Sequence, residues 1–309
     1  MTTASSSHPA RHGHLVIIGG GEDRTNDKRV LSRFVQLAGG DAARIVVLTA
    51  ASTQHEAMWE TYDRAFGELG VNDRSALQIN SREDAADPQL ADRILHADGI
   101  FMTGGDQRRL LSLIGGTRID KAMHRALRER GACIGGTSAG ASAMSEHMLF
   151  DGTREVLPQK GSVHLAAGLG FVRRVVIDQH FSERQRLGRL LSIVAQNPYL
   201  LGAGIDEDTA LVIEPGRGLE VIGEGAVTLI DGREMLSNLL DIEKDALLEL
   251  TNVKLHLLPN GVRYRADPTL GEEENDGVRK TPRALIDVVA AVSAMPEPSP
   301  ESVAQKEMS

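Results

Sequence analysis

The first two-thirds of the chain alternates short β-branched runs with longer amphipathic ones. The runs LVII at 15–18, RIVVLTA at 44–50, GIFMTGG at 99–105 and ACIGG at 132–136 read as buried strands, several closed by glycines. VVIDQH at 175–180 and LGAGI at 201–205 continue the series. Helices are expected from about Asn26 to Leu37, from His55 to Leu69 on the spacing of Met58, Tyr62, Phe66 and Leu69, and from Asp106 onward. A further helix is expected to start near Ser138, with ASAMSEHML compatible with its continuation. Strands separated by helices predict an α/β fold: a mostly parallel sheet with helices on both faces. After Asp208 the runs TALVIE, LEVIG and AVTLID are short and separated by glycine turns, which predicts antiparallel edge strands. NVKLHLL at 252–258 is one more candidate strand, 267–276 an acidic loop and 282–294 a short helix. The expected organisation is a flexible N-terminus over 1–13, one α/β domain over 14–294 and a disordered tail over 295–309.

In such sheets, sites form in the crevice at the carboxyl ends of the strands. Four of these ends carry glycine or polar residues: Gly19–Gly21, Gly104–Gln107, Gly136–Gly140 and Asp178–His180. Their recurrence predicts one shared site.

Composition narrows the chemistry. Of the 309 residues 41% are hydrophobic but only 3% aromatic, so the core rests on Leu, Ile, Val and Ala, and base stacking on nucleic acid has few side chains to use. The formal charge of −9 repels polyanions. The single cysteine, Cys133, permits no internal disulfide, which fits a reducing compartment. No apolar run is long enough for a signal peptide or a membrane span, so a cytoplasmic protein is expected. No metal-binding spacing of histidine and cysteine occurs, and neither metal nor cofactor is expected.

Gly136-Thr137-Ser138-Ala139-Gly140 has the form G-x-S-x-G between a strand and a helix. That context suits a nucleophilic serine on a sharp turn, with the next backbone N–H aimed at a developing oxyanion. The alternative is an ordinary glycine-rich turn with a serine cap. A serine nucleophile needs a base, and the base needs an orienting acid. Of ten histidines, His180 alone ends a strand and precedes an expected helix start, where Ser182 and Gln185 match a capping box. Asp206, Glu207 and Asp208 follow LGAGI, and strand alternation leaves the choice of acid open. The order serine, histidine, acid departs from that of the α/β-hydrolases.

Six segments together resemble the cyanophycinases and their relatives, the bacterial aspartyl dipeptidases. They are GGGEDR at 19–24, FMTGGDQRRL at 101–110, GGTSAGASAM at 135–144, GLGF at 168–171, IDQHFSERQRLGRL at 177–190 and GIDEDTAL at 204–211. The resemblance implies Ser138 as nucleophile, His180 as base and Glu207 as orienting acid. It implies an oxyanion hole from the backbone of Gly105 and Ala139. It suggests Gln107, Asp178, Gln179, Arg184, Arg186 and Arg189 as pocket residues. The implied substrate is cyanophycin, a poly-aspartate backbone bearing arginine on each β-carboxyl, cut to β-aspartyl-arginine. The implied assembly is a homodimer. The free carboxylates of such a substrate suit guanidinium partners, and its arginines suit an acid such as Asp178. On one helix, Arg186 and Arg189 share a side while Arg184 lies further round.

The nearest rival is an isoaspartyl or α-aspartyl dipeptidase on the same scaffold. A cysteine enzyme of the glutamine-amidotransferase kind needs its cysteine at the turn, and Cys133 comes five positions too early. A nucleotide-binding module built on Gly19–Gly21 fails the G-x-G-x-x-G pattern, because Arg24 stands at the last glycine position. A binding protein without activity sits poorly with a complete set of three candidate residues.

Overall fold

A computed structural model describes residues 13–152, 156–267 and 280–294. The tail 295–309, all of the N-terminal segment but Gly13, and all of the acidic loop but Asp267 lie outside the described residues.

In chain order the first strands are β1 (His14–Ile18), β2 (Ile45–Leu48), β3 (Arg74–Leu77), β4 (Gly99–Met102) and β5 (Cys133–Thr137). They are followed by β6 (His147–Gly152), β7 (Val163–Ala167), β8 (Val175–Gln179), β9 (Leu201–Ile205) and β10 (Thr209–Glu214). The last are β11 (Gly218–Gly223), β12 (Ala226–Asp231), β13 (Leu236–Ser237), β14 (Leu250–Thr251), β15 (Lys254–Pro259) and β16 (Arg263–Arg265). The main sheet has the order β16-β11-β10-β1-β5-β4-β2-β3. Its five strands from β1 to β3 are parallel, and β10, β11 and β16 extend one edge in antiparallel sense. This is the expected architecture.

Strand alternation divides the core between two faces. On β1, Leu15 and Ile17 enter one cluster with Leu48, Ile100, Met102 and Ile134. Val16 and Ile18 enter the other, with Phe34, Tyr62, Phe66 and Phe101. Helices Arg29–Ala38 and His55–Glu68 cover that second face through Phe34, Tyr62 and Phe66.

The expectation of one sheet is corrected at the C-terminal side. β8 and β9 pair in parallel, but β9 next pairs with β12, giving a second sheet of order β15-β12-β9-β8. AVTLID therefore lies beside LGAGI and not at the edge of the main sheet. Val175 and Ile177 of β8 join the main core, whereas Val176 packs with Leu190, Ile193 and Val194 of helix Leu187–Gln196. The second sheet thus rests one face on the main core and carries a helix on the other.

Three local expectations also change. Helix Arg29–Ala38 starts later than Asn26, because the Asp23 carboxylate accepts the N–H groups of Thr25, Asn26 and Lys28 and holds that stretch as a turn. The helix after Ser138 spans only Ala139–Ser142. His147, expected on its continuation, instead opens β6, which pairs with β7. Among the described residues no helix is long and apolar enough to cross a membrane.

Candidate active site

The end of β1 is where the site is assembled. Ile18 C=O accepts the Ser138 N–H (3.1 Å), Gly19 C=O accepts the His180 N–H (2.7 Å) and Gly20 C=O accepts the Asp208 N–H (2.9 Å). Three segments from β5, β8 and β9 are therefore tied to one stretch of backbone.

Ser138 sits at φ +52° and ψ −111°, a conformation that costs a non-glycine residue about 1–3 kcal/mol. The flanking glycines explain how it is tolerated. A Cβ on Gly136 would lie 2.6 Å from the Gly140 carbonyl oxygen, and one on Gly140 would lie 2.5 Å from that of Met102. The turn can close only without those side chains. Gly104 packs against the Ser138 side chain, which brings the Gly104–Gly105 loop alongside the hydroxyl. Ala139 opens the helical turn, so its N–H has no carbonyl within that turn to pair with.

His180 follows β8 at φ +50° and is 8% exposed. Its Nε2 lies 2.9 Å from Ser138 Oγ, and its Nδ1 lies 2.5 Å from Glu207 Oε1. With the Nδ1 hydrogen donated to Glu207, Nε2 is the acceptor for the serine hydroxyl. Of the three carboxylates after β9, strand parity left the partner open, and Glu207 is the one at the imidazole. Asp206 accepts the Ser182 and Ala226 N–H groups (3.1 and 3.0 Å), and Asp208 accepts that of Asp23 (2.8 Å). Burial depresses the His180 pKa below its ordinary 6.5; the Arg184 and Arg186 charges act in the same direction, and Glu207 opposes them.

The arginine-bearing segment is not one helix. The Ser182–Gln185 capping box does not form: the Ser182 hydroxyl donates to Asp206, Gln185 adopts φ +51°, and the helix begins at Leu187. Arg184 is exposed, and its N–H donates to the His180 carbonyl (3.2 Å). Arg186 and Arg189 turn inward onto Asp178, whose side chain is 0% exposed. Arg189 Nε donates to Asp178 Oδ2 (2.7 Å) and Arg186 Nη1 to Asp178 Oδ1 (3.2 Å) and to the Gln179 carbonyl. Asp178 is thus committed to these two cations and is not open to a ligand guanidinium. Burial pulls the Arg186 pKa down to about 10. Two guanidinium groups share one carboxylate, which leaves surplus positive charge beside His180. Gln107 reaches the Leu149 carbonyl through Nε2 (3.4 Å), and Gln179 Oε1 is buried without a hydrogen-bond partner.

The sequence reading has Glu22 and Thr137 only as members of matched segments and Tyr62 only as a helix-face position, none of them as a site residue. Glu22 follows the glycines and is 3% exposed. It accepts the hydroxyls of Thr137 and Tyr62, each at 2.5 Å. The available signal was a carboxylate placed directly after a strand-closing glycine turn.

Comparison with known proteins agrees with this frame. The model of peptidase family S51 matches residues 15–221. The cyanophycinase of Geminocystis herdmanii is 38% identical over 251 residues, covering 81% of this chain and 92% of that protein. The cyanophycinase of Synechococcus elongatus is 36% identical over 265 residues, covering 85% and 82%. Among solved structures, a peptidase from an acI-B1 actinobacterium shares the fold with a TM-score of 0.59 at 20% identity, covering 82% of this chain and 97% of that one. With the family model spanning two-thirds of its length and relatives this similar along most of theirs, the chain belongs to peptidase family S51 and is a serine-type peptidase.

Proposed function

We propose that the protein hydrolyses cyanophycin to β-aspartyl-arginine dipeptides, with Ser138 as nucleophile, His180 as base and Glu207 as orienting acid. The observation that carries the assignment of roles is the unbroken line of hydrogen bonds from Ser138 Oγ through the His180 ring to Glu207. Similarity to cyanophycinases over most of their length supports the substrate.

His180 Nε2 takes the hydroxyl proton as Ser138 Oγ bonds to the backbone carbonyl carbon of an aspartyl residue. The oxyanion is met by the N–H groups of Gly105 and Ala139, a donor of this kind contributing about 3 kcal/mol. Collapse breaks the C–N bond, and the proton held by His180 passes to the leaving amine. Water then gives a proton to His180 and attacks the acyl-serine ester; the proton returns to Ser138 Oγ. Glu207 stays ionised and fixes the ring tautomer throughout. Gln107, Asp178, Gln179, Arg184, Arg186 and Arg189 form the substrate pocket. Asp178 acts within it by fixing two guanidinium groups, and the surplus positive charge suits the carboxylates of the polymer. The protein works in the cytoplasm, where its one buried cysteine meets no oxidising demand, and as a homodimer.

The test is incubation with purified cyanophycin and identification of products by mass, for wild type and Ser138→Ala. β-Aspartyl-arginine from the former alone supports the proposal. Turnover of short aspartyl dipeptides without turnover of polymer would overturn the substrate assignment, and equal product from both proteins would remove Ser138 from its role.

A further inference from the structure

The strained turn at Ser138 is held from below by a group that the mechanism does not use. The Glu22 carboxylate is buried, and each of its oxygens receives one hydroxyl. Thr137 Oγ1, on the residue before the nucleophile, donates to Oε2 at 2.5 Å. Tyr62, on helix His55–Glu68, donates to Oε1 at 2.5 Å. Tyr62 is 1% exposed and its ring lies among Phe66 and Phe101, so it is a fixed post. Burial, and then the charge of Glu22, drive its pKa well above the ordinary value, so it keeps the proton it donates.

The three residues before Glu22 fix where that carboxylate stands. Gly19 lies on the Asp206 carbonyl, Gly20 on the His180 ring and Gly21 on Glu207. A Cβ on Gly21 would come within 2.9 Å of Glu207 Oε2. One tetrapeptide therefore touches the base, the orienting acid and, through Glu22 and Thr137, the nucleophile.

We infer that Glu22 is a positioning residue for Ser138: by anchoring the Thr137 hydroxyl against the rigid Tyr62 post, it sets the direction of the serine hydroxyl toward His180. This rests on the reading of Ser138 as nucleophile. Glu22 takes its hydrogen bonds from Thr137 and Tyr62, not from Ser138 or His180. It acts through Thr137, whose side chain is held while the following φ and ψ carry the strain. A misplacement near 1 Å at a reacting group can cost about 10²-fold in rate. The loss falls on the attack step and not on substrate binding.

The experiment compares Thr137→Val, Thr137→Ser, Glu22→Gln and Ser138→Ala, each confirmed folded by circular dichroism. Three quantities are read: the rate of labelling by a fluorophosphonate probe, which reports nucleophile reactivity without the substrate pocket, and kcat and KM on cyanophycin. Thr137→Val and Glu22→Gln should label about 10- to 100-fold more slowly and lose kcat in proportion, with KM nearly unchanged. Thr137→Ser, which keeps the hydroxyl, should restore most of the rate. Wild-type labelling in Thr137→Val and Glu22→Gln, with Ser138→Ala unlabelled, overturns the positioning role and leaves the nucleophile in place. A loss in Thr137→Val that Thr137→Ser does not restore overturns it too, because keeping the hydroxyl is then not what keeps the rate. Labelling of Ser138→Ala at the wild-type rate strikes the nucleophile reading itself.

Discussion

The imidazole of His180 stands against the backbone of Gly20. A Cβ at Gly20 would stand 2.5 Å from the ring's Nε2, the atom that faces Ser138, and Gly20 itself is at φ +97°. The ring is thereby located by hydrogen bonds at its two nitrogens and by the bare backbone of Gly20.

Gly20→Ala should therefore displace the base. We expect a fall in kcat of about 10²-fold or more from the misplaced ring. The unfavourable backbone conformation adds a stability loss of about 1–3 kcal/mol. Steady-state kinetics and urea unfolding on the same preparation check both, and an active Gly20→Ala enzyme contradicts the packing.

Glu207→Gln keeps the shape of the side chain and removes its charge. An amide can present N–H to Nδ1 and so favours the wrong tautomer, leaving no acceptor for the serine proton. In a serine protease the analogous change lowers kcat about 10⁴-fold, and a drop of that order is expected here. A loss under about tenfold places the orienting function elsewhere.

The pH profile follows from the depressed His180 pKa. As the proposed base, His180 works in its neutral form, so the acid limb of kcat/KM should have its midpoint below 6.5 and the rate should rise with pH through it. Arg184 contributes to the depression by repelling the protonated ring. Arg184→Gln should move the limb to higher pH. The same sign governs stability. The unfolded chain binds the proton more readily, so the contribution of His180 to stability is present above pH 6.5 and is lost as pH falls below it. A midpoint above 6.5 in the wild type contradicts this account.

Asp178 answers to two cations in a dry place. Asp178→Ala leaves Arg186 and Arg189, with side chains 11% and 13% exposed, without their shared carboxylate. Breaking a buried pair by deleting one partner costs about 3–5 kcal/mol, and chemical denaturation at neutral pH should show a loss of that size. A change under about 1 kcal/mol indicates that water already reaches the guanidinium groups.

Cys133 distinguishes serine from thiol chemistry. It lies in β5 at 0% exposure, and burial raises its thiol pKa far above the ordinary value. Iodoacetamide should leave the native enzyme active and the cysteine unmodified, while a fluorophosphonate abolishes activity. Inactivation by iodoacetamide with modification at Cys133 runs against the assignment.

The parts of the fold visible in the sequence were those set by local pattern. LGAGI predicts a strand over 201–205 and is Leu201–Ile205, and the helix predicted from His55 to Leu69 spans His55–Glu68. What stayed hidden depends on partners far away in the chain. His147 has helix-compatible neighbours, yet β6 forms because β7 lies ready to pair with it. Ser182 satisfies a capping pattern, but Asp206 takes its hydroxyl. Asp178 looked available for a ligand until Arg186 and Arg189 closed on it. Glu22 depends on Thr137 and Tyr62, 115 and 40 positions away, and no local period reports such a meeting. The second sheet was unreadable for the same reason, since β9 chooses β12 over the main sheet.

The hydroxyl rides on the main sheet, while the imidazole and the carboxylate arrive on the second. A ribosome that has made only the first 170 residues has made Ser138 but neither His180 nor Glu207. The line of hydrogen bonds from hydroxyl to imidazole to carboxylate therefore forms only when synthesis has passed β9 and the two layers have met.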